Sequence, residues 1–474
     1  MKRKLRLRVT SGILISLMVL LAGCGEPADS SKIQTSSDQI SNQADSDSSG
    51  QDMAAIEMPT ADLTNNSKVL KVFGWSSMSE NNTDGEAAEY FKEEFGVTIE
   101  DVISTHDTYW SDLAKMVAAG NAPDVVDCSY DKFWPVPVAE DLLEPWDDLI
   151  DFDTPLWADM KEQIEMVKWN DKIYFPVISE FVSSWLHYNK NMFKNYGLEN
   201  DTPRALYGRD EWTLDKMCEI SDMFIEKNNK NEIVQWGFTP QNLEPISISG
   251  VQLVEIINGK EYKNNINDAS IAKVMNTLYN ISAAGSGSMS TSDACPLFEQ
   301  EKVAMLLSNA DITLQRRFEH LRQQDAYSFA PMPKLDAESN YNVEISLDPG
   351  YGLVKGAKNK ELATLWVNYL KWFRLGEHLC AEIPRDENSP AVKHYNIKPK
   401  AGSASLSQED IDFINKYLDS NPTKVYTTYR SIVQNVGDML DVFKWQVFAG
   451  SAQWSAAVQQ LYPKYEAQLK EYIS

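Results

Sequence analysis

Histidine, cysteine and clustered positive charge are all scarce in this chain, and each scarcity removes a class of function. The five histidines (His106, His187, His320, His378 and His394) are scattered over 474 residues, with no His-Glu-x-x-His and no Cys/His spacing for a structural zinc. No metal site and no cofactor are therefore expected. Five cysteines in this length cannot be a disulfide scaffold, and none stand as Cys-x-x-Cys; Cys128, Cys218, Cys295 and Cys380 read as buried thiols. Gly-x-Ser-x-Gly and a phosphate-cradling Gly-Lys-Ser/Thr loop are both missing, and the GSGS run at 285–288 lacks the lysine. Lysine and arginine number 44 against 69 acidic residues, a formal charge of −25. Such a surface repels the phosphate backbone, so nucleic acid is not an expected partner. An acid pair for glycoside hydrolysis is not ruled out among so many carboxylates, but nothing singles one out.

The basic residues that do cluster lie at the N-terminus, where Lys2, Arg3, Lys4, Arg6 and Arg8 precede an apolar run over 13–21. That run is shorter than the roughly 20 apolar residues of a permanent membrane span, and it matches the charged and apolar regions of an export signal. At its end Leu21-Ala22-Gly23-Cys24 resembles the bacterial lipobox. The resemblance implies a lipoprotein signal peptide over 1–23, with Cys24 lipidated as the first mature residue and the protein anchored on the extracytoplasmic face of the cell membrane. Removing 1–23 takes away five positive charges and no negative ones, so the mature chain is more acidic still. Residues 24–66 are rich in Ser, Asp, Gln and Asn and read as a flexible tether.

Beyond the tether, β-branched alternation over 68–75 predicts a first strand, and Ala88, Phe91 and Phe95 share one face of a helix over 84–95 closed by Gly96. A second strand at 97–102, a helix from Tyr109 to Gly120 and a third strand from Asp124 complete a strand–helix alternation of the α/β kind. The same grammar returns in a strand at 183–188, a helix at 212–225, a short strand at 303–307 and a helix at 360–373. Trp454, Val458, Leu461, Tyr465, Leu469 and Tyr472 space a terminal amphipathic helix. Two α/β lobes accommodate about 400 folded residues.

Several phrases, in order, resemble the extracellular solute-binding proteins of bacterial ABC importers, in particular the sugar-binding lipoproteins. They are YWSDLAKMVAAGNAPDVV at 109–126, LEPWDDLI at 143–150, DKIYFPV at 171–177, YNKNMFKNYGL at 188–198 and FEQEKVAMLLSN at 298–309, then APMP at 330–333 and KNKELA at 358–363. Asp171 stands where the family usually has Gly, and EWTLD at 211–215 follows at a longer interval than usual. The resemblance implies a two-lobed periplasmic-binding-protein-like fold, each lobe a sheet flanked by helices, with the ligand cleft at a hinge. It places lobe one at 67–178 and 311–373 and lobe two at 184–307 and 375–474. It further implies a monomer that binds a small solute, a sugar or oligosaccharide, hands it to the transmembrane subunits of an ABC permease, and is not an enzyme.

Sugar recognition needs flat aromatic faces against pyranose C–H groups and carboxylates or amides for the hydroxyls. Position in the family pattern nominates Trp75, Asp127, Ser129, Trp185, Tyr188, Asp311 and Tyr351 as ligand contacts, with Cys128 and Gly350 beside them. Each has a structural alternative: Tyr188 belongs to a largely structural phrase, Asp127 and Asp311 suit helix caps, and Trp212 suits lobe-two packing. Trp236 and Trp445 are weaker candidates from lobe two. A secreted carbohydrate-degrading lipoprotein and a surface receptor that presents ligand to a sensor are the rival functions, and the acidic candidates would also suit a cationic solute.

Overall fold

A computed structural model describes residues 53–474, apart from 65, 79–83, 106, 130–133, 135, 241–243, 258–260, 284–290, 310–317, 381–382, 399–405, 427–445, 448–449 and 474. Cys24, Asp311 and Trp445 therefore lie outside the described residues, as does the segment 1–23 expected to be an export signal. Among the described residues no helix is long and apolar enough to cross a membrane.

The first half of the chain runs β1 (Val69–Gly74), α1 (Gly85–Phe95), β2 (Thr98–Ile103), α2 (Tyr109–Ala118), β3 (Val125–Asp127) and β4 (Leu143–Glu144). After β5 (Ser179–Val182) and β6 (Ser184–Asn189) come α3 (Leu214–Met223), β7 (Glu226–Lys227), β8 (Ile233–Pro240), the hairpin β9 (Val254–Ile257) and β10 (Glu261–Asn264), and α4 (Ala269–Ala283). The last part holds β11 (Val303–Asn309), β12 (Tyr327–Ala330), β13 (Asn342–Asp348), β14 (Tyr351–Val354), α5 (Lys360–Arg374), α6 (Pro390–Tyr395), α7 (Gln408–Asp419), β15 (Thr423–Tyr426) and α8 (Trp454–Ile473).

Two five-stranded sheets, ordered β2-β1-β3-β14-β4 and β12-β6-β11-β8-β7, form the hearts of the two lobes, and a three-stranded sheet β15-β13-β5 lies between them in the chain path. In the first sheet β1 pairs parallel with β2 and β3, while β14 returns antiparallel beside β3. Parallel pairing requires a crossover, and α1 and α2 supply it. Helix α1 forms where Ala87, Ala88 and Phe91 recur on one face, and it stops at Gly96, whose φ of 60° is a left-handed position that glycine takes without a Cβ penalty. Phe91 meets Trp366 of α5 edge-on at 5.1 Å, and Trp366 also meets Tyr351 of β14 at 5.7 Å, so α1, α5 and the sheet share one aromatic core. Each such ring contributes roughly 1.5–3 kcal/mol by leaving water.

Two passages, 176–183 into β5 and β6 and 346–351 from β13 to β14, link the lobes, and the segment 375–380 after α5 packs against them before the chain returns to the first lobe at α6. They are held to one another by backbone bonds, Ile178 N–H to Asp348 O at 2.8 Å, Ser183 N–H to Glu344 O at 2.9 Å and Val182 N–H to Leu379 O at 2.8 Å.

The lobe boundaries differ from the sequence expectation in three places. β12 pairs antiparallel with β6, and the Tyr327 hydroxyl meets His187 Nδ1 at 2.8 Å, so 327–330 belongs to the second sheet and not to lobe one within 311–373. Helix α6, expected in lobe two within 375–474, packs on the first lobe: Tyr395 stacks on Tyr90 of α1 at 4.3 Å. Strand pairing and ring stacking couple segments far apart in sequence, which boundaries drawn along the chain miss. Finally, the tether expected over 24–66 is folded at its end. Leu63 is buried, Ile56 and Met58 pack on the core, and Trp372 Nε1 donates to Ile56 O at 3.0 Å. Met53, Ile56, Met58 and Leu63 are apolar enough to repay ordering.

Candidate ligand cleft

In open α/β sheets ligands gather outside the carboxyl ends of parallel strands. The apolar run Val125-Val126 buries β3 and leaves Asp127 at that end, beside the end of β1 at Gly74. Tyr109, the first residue of α2, ties the two ends together: its hydroxyl donates to Asp127 O at 2.7 Å and lies 3.3 Å from Phe73 O. The Asp127 carboxylate accepts the Ser129 N–H at 2.8 Å, which turns the chain sharply after β3. Burial pushes Asp127 up to about 6 against the opposing hydrogen bonds from Ser129. Among the described residues Asp127 bonds the Ser129 N–H in this turn, not a helix N-terminus. Cys128, next in line, is fully buried, and burial beside Asp127 pushes its thiol up.

The Cys128 N–H donates to Gly350 O at 3.0 Å and so brings the second passage against β3. Gly350 has a φ of 65°, and a Cβ there would lie 2.7 Å from Ile178 Cγ1 and 3.0 Å from Pro176 O, so only glycine fits between the two passages. Tyr351 follows, opposite Asp127 in the strand register, and is 1% exposed. Its hydroxyl donates to Asp84 Oδ2 at 2.8 Å and sits 3.2 Å from Met78 Sδ. Tyr351 is thus placed as a support for a carboxylate, with no ring face open for stacking in this conformation.

Asp84 precedes α1, yet its carboxylate makes no capping bond and turns instead to Tyr351 and, at 3.4 Å, to Arg374. Burial holds Asp84 up at about 7 although Arg374 pulls the other way. Arg374 also pairs with Asp348 and, through Nε, with Glu377 at 2.8 Å. Burial works against its charge, but Glu377, Asp348 and Asp84 more than offset this and raise it further. Asp84 and Asp348 are buried beside this one guanidinium, while the partly exposed Glu377 is shared with Arg385, and the buried carboxyl oxygens are acceptors that a hydroxyl-rich ligand can meet with donors. Asp84 escaped sequence reasoning because the helix from 84 to 95 explained it, and Asp348 and Arg374 did because nothing beside them in the sequence marks them as partners.

Trp75 follows Gly74 and is half-buried, with one side on the core. Trp185 and Tyr188 are placed otherwise. Both lie in β6, all six residues of which are buried; Trp185 meets Phe329 at 5.3 Å and Tyr417 at 5.7 Å, and Tyr188 meets Phe193 at 5.5 Å. The structure therefore brings Trp75, Asp127, Ser129 and Tyr351 to one end of the first sheet and sets Trp185 and Tyr188 inside the second lobe. There, β8 ends at Thr239-Pro240 and β11 at Ser308-Asn309, beside Ser184 and Trp185 at the start of β6. Trp212 packs as expected, with Nε1 donating to Pro331 O at 3.0 Å. Trp236, half-buried, lies in mid-strand on β8, away from that end.

Among the described residues no group of three or more His, Cys, Asp or Glu is placed to hold a metal ion. A cavity of about 530 Å³ opens on the first lobe among Asp147, Asp151, Phe152, Lys161, Ile164 and Lys168. It touches none of the candidate residues and plays no part in this site.

The bacterial extracellular solute-binding protein family matches residues 76–371, more than half of the chain. No curated protein matches. Among solved structures, the ABC substrate-binding protein Lmo0181 from Listeria monocytogenes, in complex with cycloalternan, is 16% identical, with a TM-score of 0.59 over 85% of this chain and 99% of its own. The maltose/maltodextrin-binding domain MalE from Bdellovibrio bacteriovorus, bound to maltotriose, is 17% identical, with a TM-score of 0.55 over 85% of this chain and all of its own. The sugar-binding protein MalE from Xanthomonas citri is 15% identical, with a TM-score of 0.59 over 85% and 98%. These likenesses establish the two-lobed fold, and the family match makes this a binding protein, not an enzyme. By that match over 76–371, the chain belongs to the bacterial extracellular solute-binding protein family.

Proposed function

We propose that this protein is a membrane-tethered, substrate-binding lipoprotein of an ABC importer, which captures a sugar or oligosaccharide between its lobes and delivers it to the permease. The observation that carries this is the pairing, at one end of the first sheet, of a half-exposed aromatic face on Trp75 with the buried acceptors Asp84 and Asp127. An aromatic platform beside carboxylates is the chemistry that takes a pyranose, with its C–H face on the ring and its hydroxyls donating to the acids. The cycloalternan and maltotriose held by two similarly folded proteins support the same solute class. Anchoring through Cys24 rests on the lipobox resemblance, and delivery to a permease on membership of the family. No bond is broken in this function; the permease distinguishes the loaded protein only through contacts that differ between closed and open states.

Thermal unfolding of residues 53–474 against mono- and oligosaccharides, amines and peptides tests the proposal. A ligand bound by the folded state alone stabilises it by RT ln(1 + [L]/Kd), about 2.7 kcal/mol at a hundredfold excess over Kd. An upward shift with one group of sugars is expected. A shift with an amine or peptide instead would keep the binding role and overturn carbohydrate as the solute.

A further inference from the structure

The last turn of α5 carries two buried cations that between them touch both passages linking the lobes and the segment 375–380 packed against them. Lys371, 1% exposed, donates from Nζ to Ile178 O on the first passage at 2.8 Å and to Asp159 at 2.7 Å. Arg374 meets Asp348 on the second passage, Glu377 in the segment 375–380 at 2.8 Å, and Asp84 at the cleft end of the first lobe at 3.4 Å. Arg385 closes the ring on Glu377 at 2.9 Å. Asp348 in turn accepts the Gly350 N–H at 3.0 Å, and its backbone oxygen accepts the Ile178 N–H.

Three carboxylates reach this guanidinium from segments that share no secondary-structure element: 84, 348 and 377. Asp84 and Asp348 compete for the same nitrogen, Nη1, with Asp348 the nearer. A ligand hydroxyl that donates to Asp84 weakens its claim on Nη1 and leaves the cation more fully to Asp348 and Glu377. We propose that Arg374 is a positioning residue that couples Asp84 to the hinge, so that occupancy of the cleft beside Asp84 changes the hold on the passage 346–351 and on the segment 375–380 packed beside it. This deepens the proposed binding role and does not depend on which solute binds. A planar fork serves three partners at once; an ammonium, as a point charge, does not.

The test is amide hydrogen exchange on the ligand-free, full mature chain of D84N, R374K, their double variant and Y351F. The informative segment is 375–380, which reaches Asp84 through Arg374 and Glu377 and not through Tyr351. D84N is expected to change exchange there by at least about threefold, reporting local opening. Y351F, which removes a hydroxyl that donates to Asp84, strengthens the claim of Asp84 on Nη1 and should shift 375–380 in the direction opposite to D84N. In the R374K background D84N should add nothing, the non-additivity that marks two residues acting as one unit. An unchanged 375–380 in D84N, or effects of D84N and R374K that simply multiply, would overturn the coupling. Should R374K fail to fold, E377Q takes its place in the cycle with the same two outcomes. If instead the wild type ignores every sugar, the solute assignment fails while the exchange cycle still decides the role of Arg374.

Discussion

Asp127 shows how a single side chain at a strand end ties recognition to pH. Its carboxyl titrates near 6 in the folded protein because burial disfavours the anion, against an ordinary value of 3.8. A folded value raised above the unfolded one gives stability that is fully present below about pH 4 and is lost as pH rises through 6. D127N keeps the acceptor for Ser129 and removes the titration. Chemical denaturation should therefore show D127N gaining on the wild type between pH 4 and pH 7, by on the order of 3 kcal/mol at most. A constant gap across that range would show that Asp127 is not desolvated. Trp75 makes a different prediction: W75A should lose at least about tenfold in sugar affinity, roughly 1.4 kcal/mol, with its melting cooperative and little changed. Calorimetric titration showing equal affinities would remove Trp75 from the site. Trp75 and Asp127 were legible because both stand where an apolar strand ends. Asp84 and Arg374 were not, since a buried ion pair spanning 290 positions leaves no local pattern in the sequence.

Among the elements, the 53–63 segment and the turn at Gly350 have the most testable energetics. Leu63 is buried, Ile56 and Met58 are packed on the core, and Trp372 donates to the backbone of Ile56. A chain beginning at 67 should consequently unfold more easily than one beginning at 53, by on the order of 2–4 kcal/mol in a denaturant titration. Coincident transitions would show the segment to be an idle extension. At Gly350, G350A should cost about 1–3 kcal/mol, since it combines a left-handed backbone with a Cβ too close to Ile178 and Pro176. Because both neighbours belong to the first passage, its protease sensitivity near 176–183 should rise with the loss of stability. Most of the long elements were readable in advance: α1, α2, α3, α5, α8 and strands β1, β3, β6 and β11 stand close to where periodicity put them. The segment at 53–63 was missed because three or four apolar residues in a polar stretch say nothing until the surface they cover exists.

As a whole, the molecule holds two five-stranded sheets joined by passages that are bonded to each other, which favours motion as two bodies about a shared hinge. Small-angle scattering should accordingly show a smaller radius of gyration on saturation with the solute. An unchanged profile under calorimetrically saturated binding would rule out closure as the signal to a permease. The partition of the chain between the lobes follows from β12 joining β6 and from α6 returning to α1, so neither lobe is one continuous stretch. The sequence alone determined the acidic character, the alternation of strands and helices and the family resemblance, because each is written in neighbouring residues or in composition. Tertiary structure decided which aromatics are enclosed, as with Trp185 and Tyr188, and which carboxylates share Arg374. Burial and ion pairing depend on what the rest of the chain brings into contact, and that is a property of the packed molecule, not of any segment of it.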